Sequence, residues 1–298
     1  MQLCLGTVQF GMDYGIRGQQ RPCIRDAVKM LDFAYNHGIN TFDTAYQYGL
    51  AEEVLGTWIY HRSPDRSHIN IISKLKPNIF DGIPSDKYYE TAKQNLTDSL
   101  LRLDVQYLDG YLLHSSRYVF NDEIIAALAR LKQEGLTRQI GVSTYEVDES
   151  LHGINHPDID IIQLPYSILD QRMKHGAVFE LALAANSTTL HSRSAFIQGL
   201  IFMNENEIPP FLAKAVPIVN RLRKVSEETG LSVLELALSY VKSQGAISHL
   251  VIGVDNETQL KENILAFNKE TTQDIVAEVA KNFESLDADI VMPSLWKK

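Results

Sequence analysis

Four side chains in this sequence are of types that can move a proton to or from an oxygen: Asp43, Tyr48, Lys74 and His114. A tyrosine hydroxyl is a weak acid, with an unperturbed pKa of about 10. A neighbouring ammonium favours the phenolate and lowers that value, so proton exchange with a substrate oxygen becomes feasible. A carboxylate beside the ammonium holds it in place and keeps it charged. A histidine N–H can then orient and polarise the same carbonyl oxygen. Each residue alone has an ordinary structural role open to it. Asp43 could cap a turn, Tyr48 could pack in a loop, Lys74 could lie on the surface and His114 could close a strand end.

What joins the four is where they fall relative to the strands. Short apolar runs read as strands at Gln2–Leu5, Asn40–Phe42, Asn70–Ser73, Tyr107–Leu113, Gln139–Val142, Ile159–Leu164, Thr188–His191 and Leu250–Ile252. Between most of them lie segments of helical periodicity, at Ile24–Asn36, Asp86–Leu103, Ile124–Lys132 and Leu231–Val241, with Gly38 and Gly135 placed as C-terminal stops. Eight such alternations predict an α/β fold, a (β/α)8 TIM barrel over residues 1–298 as a single domain. No GxGxxG follows the first strand, and there is no Walker A sequence. Thr272–Leu286 reads as an added C-terminal helix before a tail carrying Trp296, and Asn204–Ala215 as a loop on the active face. In such a barrel, polar residues just beyond the strand ends line one mouth. Those positions are Asp43, Lys74, His114, Ser143, Thr144 and Gln163, with Tyr48 on the loop after Asp43.

The formal net charge of -9 argues against coating nucleic acid or anionic membrane, since both need a basic footprint. No apolar run is long enough to span a bilayer, and the residues after Met1 lack the pattern of an export signal, so the cytoplasm is the expected place. Of two cysteines, Cys4 lies in an apolar run and reads as a buried small hydrophobe; a disulfide with Cys23 is not expected. No Cys/His cluster has zinc spacing, and no metal is expected.

The segment Phe42-Asp43-Thr44-Ala45-Tyr46-Gln47-Tyr48-Gly49, with Glu52 or Glu53 shortly after, resembles the FDTAxxYG segment of the aldo-keto reductase superfamily. Ile72-Ser73-Lys74-Leu75 resembles the strand that presents the family's lysine, and Tyr111-Leu112-Leu113-His114 the strand that presents its histidine. Ile140-Gly141-Val142-Ser143-Thr144-Tyr145 resembles the GVSN segment. Gln163 falls at the cofactor-amide glutamine, and Leu250-Val251-Ile252-Gly253 through Glu262-Asn263 resembles the last strand and phosphate-binding helix. The resemblance implies an NAD(P)H-dependent oxidoreductase reducing an aldehyde or ketone. Tyr48 would be general acid, Asp43 and Lys74 would tune it, and His114 would position the carbonyl. Ser143 and Gln163 would hold the nicotinamide carboxamide, with the chemistry itself supplied by the cofactor.

Three positions depart from the pattern. Thr144 replaces an asparagine that often follows the serine. His191-Ser192-Arg193-Ser194 stands where many members carry a tyrosine that stacks on the nicotinamide; Arg193 could stack in its place or reach the pyrophosphate. Gly253 and Gln259 stand where strongly NADP-selective members place a lysine and an arginine, and Asn256 with Gln259 also fits a capping box. Family habit implies NADP with NAD also used, so both are expected, with a reduced preference for NADPH. A cofactor-binding regulatory subunit is the alternative, disfavoured by the intact four residues. A metal-dependent barrel hydrolase lacks its HxH at Gly6-Thr7-Val8-Gln9. Substrate choice would lie in Thr7–Gly15, Tyr46, Trp58, Asn78–Pro84, Ser115–Phe120, Phe196–Phe211 and the tail near Trp296. Gly6-Thr7-Val8-Gln9-Phe10-Gly11 resembles bacterial members linked with sugar metabolism, which hints at a hydroxylated, sugar-like substrate.

Overall fold

A computed structural model describes residues 1–296 apart from Asn186 and Thr272. Eight parallel strands close into a barrel in sequence order, as the alternation predicts. They are β1 (Gln2–Gly6), β2 (Thr41–Asp43), β3 (Asn70–Lys74), β4 (Gly110–Leu113), β5 (Ile140–Ser143), β6 (Ile161–Pro165), β7 (Thr189–Arg193) and β8 (Ile247–Ile252). Closure comes from β8 returning to β1, with Gln2 opposite His249 and Leu5 opposite Ile252. Strand ends differ from expectation where polar groups intervene. β4 begins at Gly110 instead of Tyr107, because the Asp109 carboxylate accepts the Ile71 N–H at 2.9 Å and Leu108 makes only an isolated bridge to Thr137. β8 begins at Ile247, ahead of the polar pair Ser248 and His249 that hid its start.

Strand alternation decides which residues face the mouth. Successive side chains point to opposite faces. Ile71, Leu113 and Ile162 pack in the large core between sheet and helices, whereas Ile72, Leu112 and Ile161 form a separate cluster that fills the barrel centre. Two residues further along the same inner rows come Lys74, His114 and Gln163. The apolar plug and the polar mouth are thus set by one periodicity.

The helix Ile24–Asn36 has the expected ends and buries Ala27, Met30, Leu31 and Ala34; Gly38 follows with φ of +85°. Tyr88–Leu103 and Asp122–Gln133 agree with expectation to within two residues, the latter capped by Asn121, whose side-chain oxygen accepts from the Glu123 and Ile124 N–H groups. Val233–Lys242 starts on a capping box of Ser232 and Glu235. Among the described residues, four helices of eight residues or more were not anticipated: Ala51–Arg62, Val147–Asn155, Val178–Ala185 and Val216–Thr229. Beyond the barrel, the added helix runs Gln273–Ala280 and passes into a 3-10 turn at Lys281–Phe283, short of Leu286; Thr272 lies outside the described residues. The 204–215 segment holds two 3-10 turns, Glu205–Glu207 and Pro210–Ala215. Cys4 is buried and Cys23 exposed, both as free thiols. Among the described residues no helix is long and apolar enough to cross a membrane.

Candidate active site

A cleft of about 1540 Å³ opens at the C-terminal ends of the strands, with Asp43, Tyr48, His114, Ser143, Gln163 and Arg193 on its walls. This exceeds the roughly 300–1,000 Å³ of a single-ligand pocket. Lys74 lies just beneath, its side chain 1% exposed against 5% for Asp43, and its Nζ donates to Asp43 Oδ1 at 2.6 Å. A second proton goes to the Thr44 carbonyl at 2.9 Å. The third faces Tyr48, whose ring centroid is 5.0 Å from the ammonium. His114 meets Tyr48 edge-on, with ring centroids 5.8 Å apart and planes at 85°. The four residues expected to act together do converge.

Two glycines fix Tyr48. A Cβ on Gly11 would lie 1.7 Å from the Tyr48 carbonyl oxygen and 2.4 Å from the Ala51 nitrogen. Gly49 sits at φ +55°, and a Cβ there would come within 2.4 Å of the Gly11 oxygen. That oxygen accepts the Leu50 N–H at 3.1 Å, so the turn at Val8–Gly11 lies flat against the Tyr48 loop. Beneath, Glu52 is buried and accepts from Ser73 Oγ at 2.6 Å and from Arg102 Nε at 2.7 Å. Of the two acidic residues after the motif, Glu52 therefore braces the strand that carries Lys74, and Glu53 is exposed.

Electrostatics differ from expectation at one point. The Tyr48 hydroxyl is pushed well above its ordinary pKa, first by burial and then by the Asp43 charge, with the Arg193 guanidinium pulling the other way. Lysine was expected to lower it. Instead the ammonium is bound to Asp43, and desolvation of the phenolate dominates. Tyr48 is thus held neutral. Burial, then the charges of Lys74 and Arg193, lowers His114 to about 3. Its neutral ring has Nδ1 enclosed and without a partner among the described residues.

The residues expected to bind cofactor divide. Gln163 Nε2 donates to Asp43 Oδ2 at 2.7 Å, which leaves its Oε1 directed toward Ser143 Oγ at 3.4 Å. One carboxylate thereby ties the lysine to the amide. Ser143, Gln163, Arg193, Gly253, Gln259, Glu262 and Asn263 all line the cleft. Thr144 does not. It follows Ser143 by one residue, so alternation turns it outward, where its hydroxyl pairs with Ser150 Oγ at 2.7 Å. The Arg193 guanidinium lies 4.4 Å from the Tyr145 ring centroid and donates to the Thr144 carbonyl at 2.8 Å, so one of its faces is already covered. A Cβ on Gly253 would meet the Gln9 amide at 2.4 Å, and Gln9 Oε1, like Gln198 Oε1, is buried without a partner at the cleft wall. The volume of the cleft, the close approach at Gly253 and these unpaired oxygens fit a dinucleotide. Among the described residues no group of three His, Cys, Asp or Glu could hold a metal ion.

Of the expected specificity loops, Met12, Tyr14, Asn78, Ser115, Phe196 and Ser294 reach the cleft. Trp58 and Tyr46 do not. Trp58 faces inward from its helix, fully buried against Phe42 with its N–H on Asp32 at 2.9 Å, and Tyr46 takes the Arg102 guanidinium on its ring. No residue of 204–215 lines the cleft, which ends at Phe202; Glu207 pairs with Arg17 instead. Trp296 is buried beside Phe211. Residues that sequence reasoning missed are Gln47, the Ser232–Glu235 turn and Asp255. The capping box at Ser232 was a legible signal; the position of Asp255 on the wall was not.

Comparison with known proteins agrees with this architecture. The chain is 29% identical over 261 residues to the uncharacterized oxidoreductase YqkF of Bacillus subtilis, covering 81% of this chain and 82% of that one. It is 25% identical over 270 residues to the NADH-specific methylglyoxal reductase of Escherichia coli, covering 79% and 80%. The holo form of aldo-keto reductase AKR11C1 from Bacillus halodurans superposes with a TM-score of 0.78 at 24% identity, over 99% of this chain and 95% of that one. Residues 2–283 match the Aldo/keto reductase family, and the chain belongs to it.

Proposed function

We propose that the protein is an NAD(P)H-dependent reductase of a small, hydroxylated aldehyde or ketone, with Tyr48 as the group that protonates the carbonyl oxygen. The observation that carries this reading is the Lys74–Asp43–Gln163 chain beneath a neutral Tyr48 and a neutral His114. A bound reduced nicotinamide supplies hydride to the carbonyl carbon. Ser143 and Gln163, joined only by the long 3.4 Å bond from Ser143 Oγ to Gln163 Oε1, offer a donor and an acceptor for the carboxamide, which orients the ring. As negative charge grows on the carbonyl oxygen, the neutral His114 can give it one N–H from Nε2, the ring nitrogen that is not enclosed. Tyr48 then passes its proton to that oxygen. The phenolate left behind is stabilised by the Arg193 guanidinium, with the Lys74 ammonium 5.0 Å from the ring centroid, although burial keeps the resting phenol neutral. A phenol held neutral suits reduction better than the reverse reaction, which needs a base.

Polar groups near the chemistry favour a hydroxylated substrate. Gln47, Asn78, Ser115 and Ser116 offer donors and acceptors, while Met12 and Phe196 limit its size. L-galactose dehydrogenase of Arabidopsis thaliana, 26% identical over 253 residues, is a relative named for a sugar. The chain would act in the cytoplasm as one domain on a small-molecule carbonyl, with neither nucleic acid nor membrane as partner. The test is oxidation of NADH and NADPH, followed at 340 nm, with a panel of small aldehydes, 2-oxoaldehydes and aldoses. Hydroxylated carbonyls should turn over faster than alkyl aldehydes of the same length. No turnover with any member of the panel, despite cofactor binding, would favour a regulatory subunit.

A further inference from the structure

We infer that Asp255 makes this cleft select the cofactor without a 2′-phosphate, NAD(H), over NADP(H); the inference rests on the reductase reading above. The carboxamide end of the cleft is at β5 and β6, and its wall continues past Arg193 on β7 to the segment after β8. There Asp255, Gln259, Glu262 and Asn263, at and along the helix Glu257–Asn268, face Glu235 and Lys269. Asn263 points to a ligand at this end independently of the acidic groups. It is only 5% exposed, it lines the cleft, and its amide bonds no described residue. A buried amide so placed offers a paired donor and acceptor to a polar ring edge or hydroxyl.

A 2′-phosphate is held by cations or by free N–H groups at a helix start. The cations near this wall are already engaged. Lys269 has its Nζ on Glu235 Oε1 at 2.5 Å, and Arg193 donates to the Thr144 carbonyl. At the helix start Asn256 Oδ1 accepts the Gln259 N–H at 2.9 Å, and the Asp255 carboxylate, two residues before Glu257, opposes an anion at the amides that remain. Gln259, which stands where the resemblance expects a phosphate-binding arginine, instead orients the acid. Its Oε1 accepts the Asp255 N–H at 2.8 Å, and its Nε2 lies 3.4 Å from Asp255 Oδ2. The wall therefore presents three carboxylates, Asp255, Glu235 and Glu262, against one lysine. A ribose hydroxyl can donate to Asp255; a phosphate dianion there meets a wall of net negative charge in a partly buried setting. The modest NADPH preference expected from the sequence reverses.

The experiment is a titration of the purified protein with NADH and with NADPH separately, without substrate, by calorimetry. NADH should bind at least about tenfold tighter, equivalent to about 1.4 kcal/mol. Asp255→Asn should shift the ratio of the two dissociation constants toward NADPH by about fivefold or more, chiefly through tighter NADPH, and the shift should shrink in 0.5 M salt. Asp255→Ser serves as a second variant should the first fail to fold. Equal or tighter NADPH binding by the unaltered protein, or an unchanged ratio in both variants, would overturn the assignment of Asp255 alone. Binding of neither cofactor would overturn the reductase reading and this inference with it.

Discussion

Replacing Lys74 by methionine removes one charge of a pair whose side chains are 1% and 5% exposed, and leaves the Asp43 carboxylate behind. Gln163 still donates to Oδ2, but Oδ1 loses its only charged partner. Breaking a buried pair from one side typically costs about 3–5 kcal/mol, because the remaining charge stays desolvated. With an unfolding entropy of about 2.1 cal/mol/K per residue, a chain of this length should melt roughly 5–8 °C lower. Converting Asp43 to asparagine in the same chain removes the stranded charge while keeping an oxygen for the Gln163 amide. The double variant should recover most of the lost melting temperature, yet neither variant should turn over substrate at more than about a hundredth of the normal rate. Circular-dichroism melts and steady-state rates on the two single variants and the double variant complete the cycle. A Lys74→Met protein that melts within about 1 °C of the original would show that the pair is hydrated, contrary to the burial described. Recovery of activity along with stability would remove Lys74 from the chemistry.

Gly11→Ala should lower kcat by about a hundredfold with little effect on cofactor affinity, because the new methyl must push the Tyr48 backbone away from its position 1.7 Å off; full kcat in a folded variant would refute the role given to the turn. His191 is 3% exposed and lowered to about 3, by burial first and then by its neighbours His249 and Lys74. The unfolded chain takes up that proton below about pH 6.5 and the folded chain does not, so stability falls as pH drops from about 6.5 toward 3. Between pH 7 and pH 5 the loss from this group is about 2 kcal/mol. Urea melts at the two pH values should show that loss reduced in His191→Phe, and an unchanged pH dependence would mean that His191 is not the group responsible.

The barrel and its catalytic corner were legible because both rest on one signal, alternation along short apolar strands. Lys74 and His114 each follow such a run directly, so their position at the mouth could be read without a structure. The same rule would have excluded Thr144, one residue out of step with Ser143, had it been applied there. Trp58 was misplaced because its helix went unrecognised. That helix, Ala51–Arg62, buries Glu52 and Gly56 beside its apolar residues, which blurs the apolar stripe. Val147–Asn155 buries Ser150 and Gly153 and betrayed itself only through the Glu146–Glu149 capping box. Val178–Ala185 is apolar on most sides and short. The far wall of the cleft was illegible for a different reason. The orientation of Asp255 depends on the bond of its N–H to the Gln259 side chain at 2.8 Å, which local periodicity does not encode.

The central claim is that the Tyr48 phenol, kept neutral by burial, gives its proton to the substrate oxygen. The most direct measurement pairs single-turnover reduction with cofactor titration for Tyr48→Phe, which keeps the ring against His114 and removes only the hydroxyl. The hydride-transfer rate should fall by roughly 10²–10⁴-fold while the cofactor dissociation constant stays within about threefold of the unaltered value. A Tyr48→Phe protein that reduces its carbonyl substrate at near-normal rate would contradict the account.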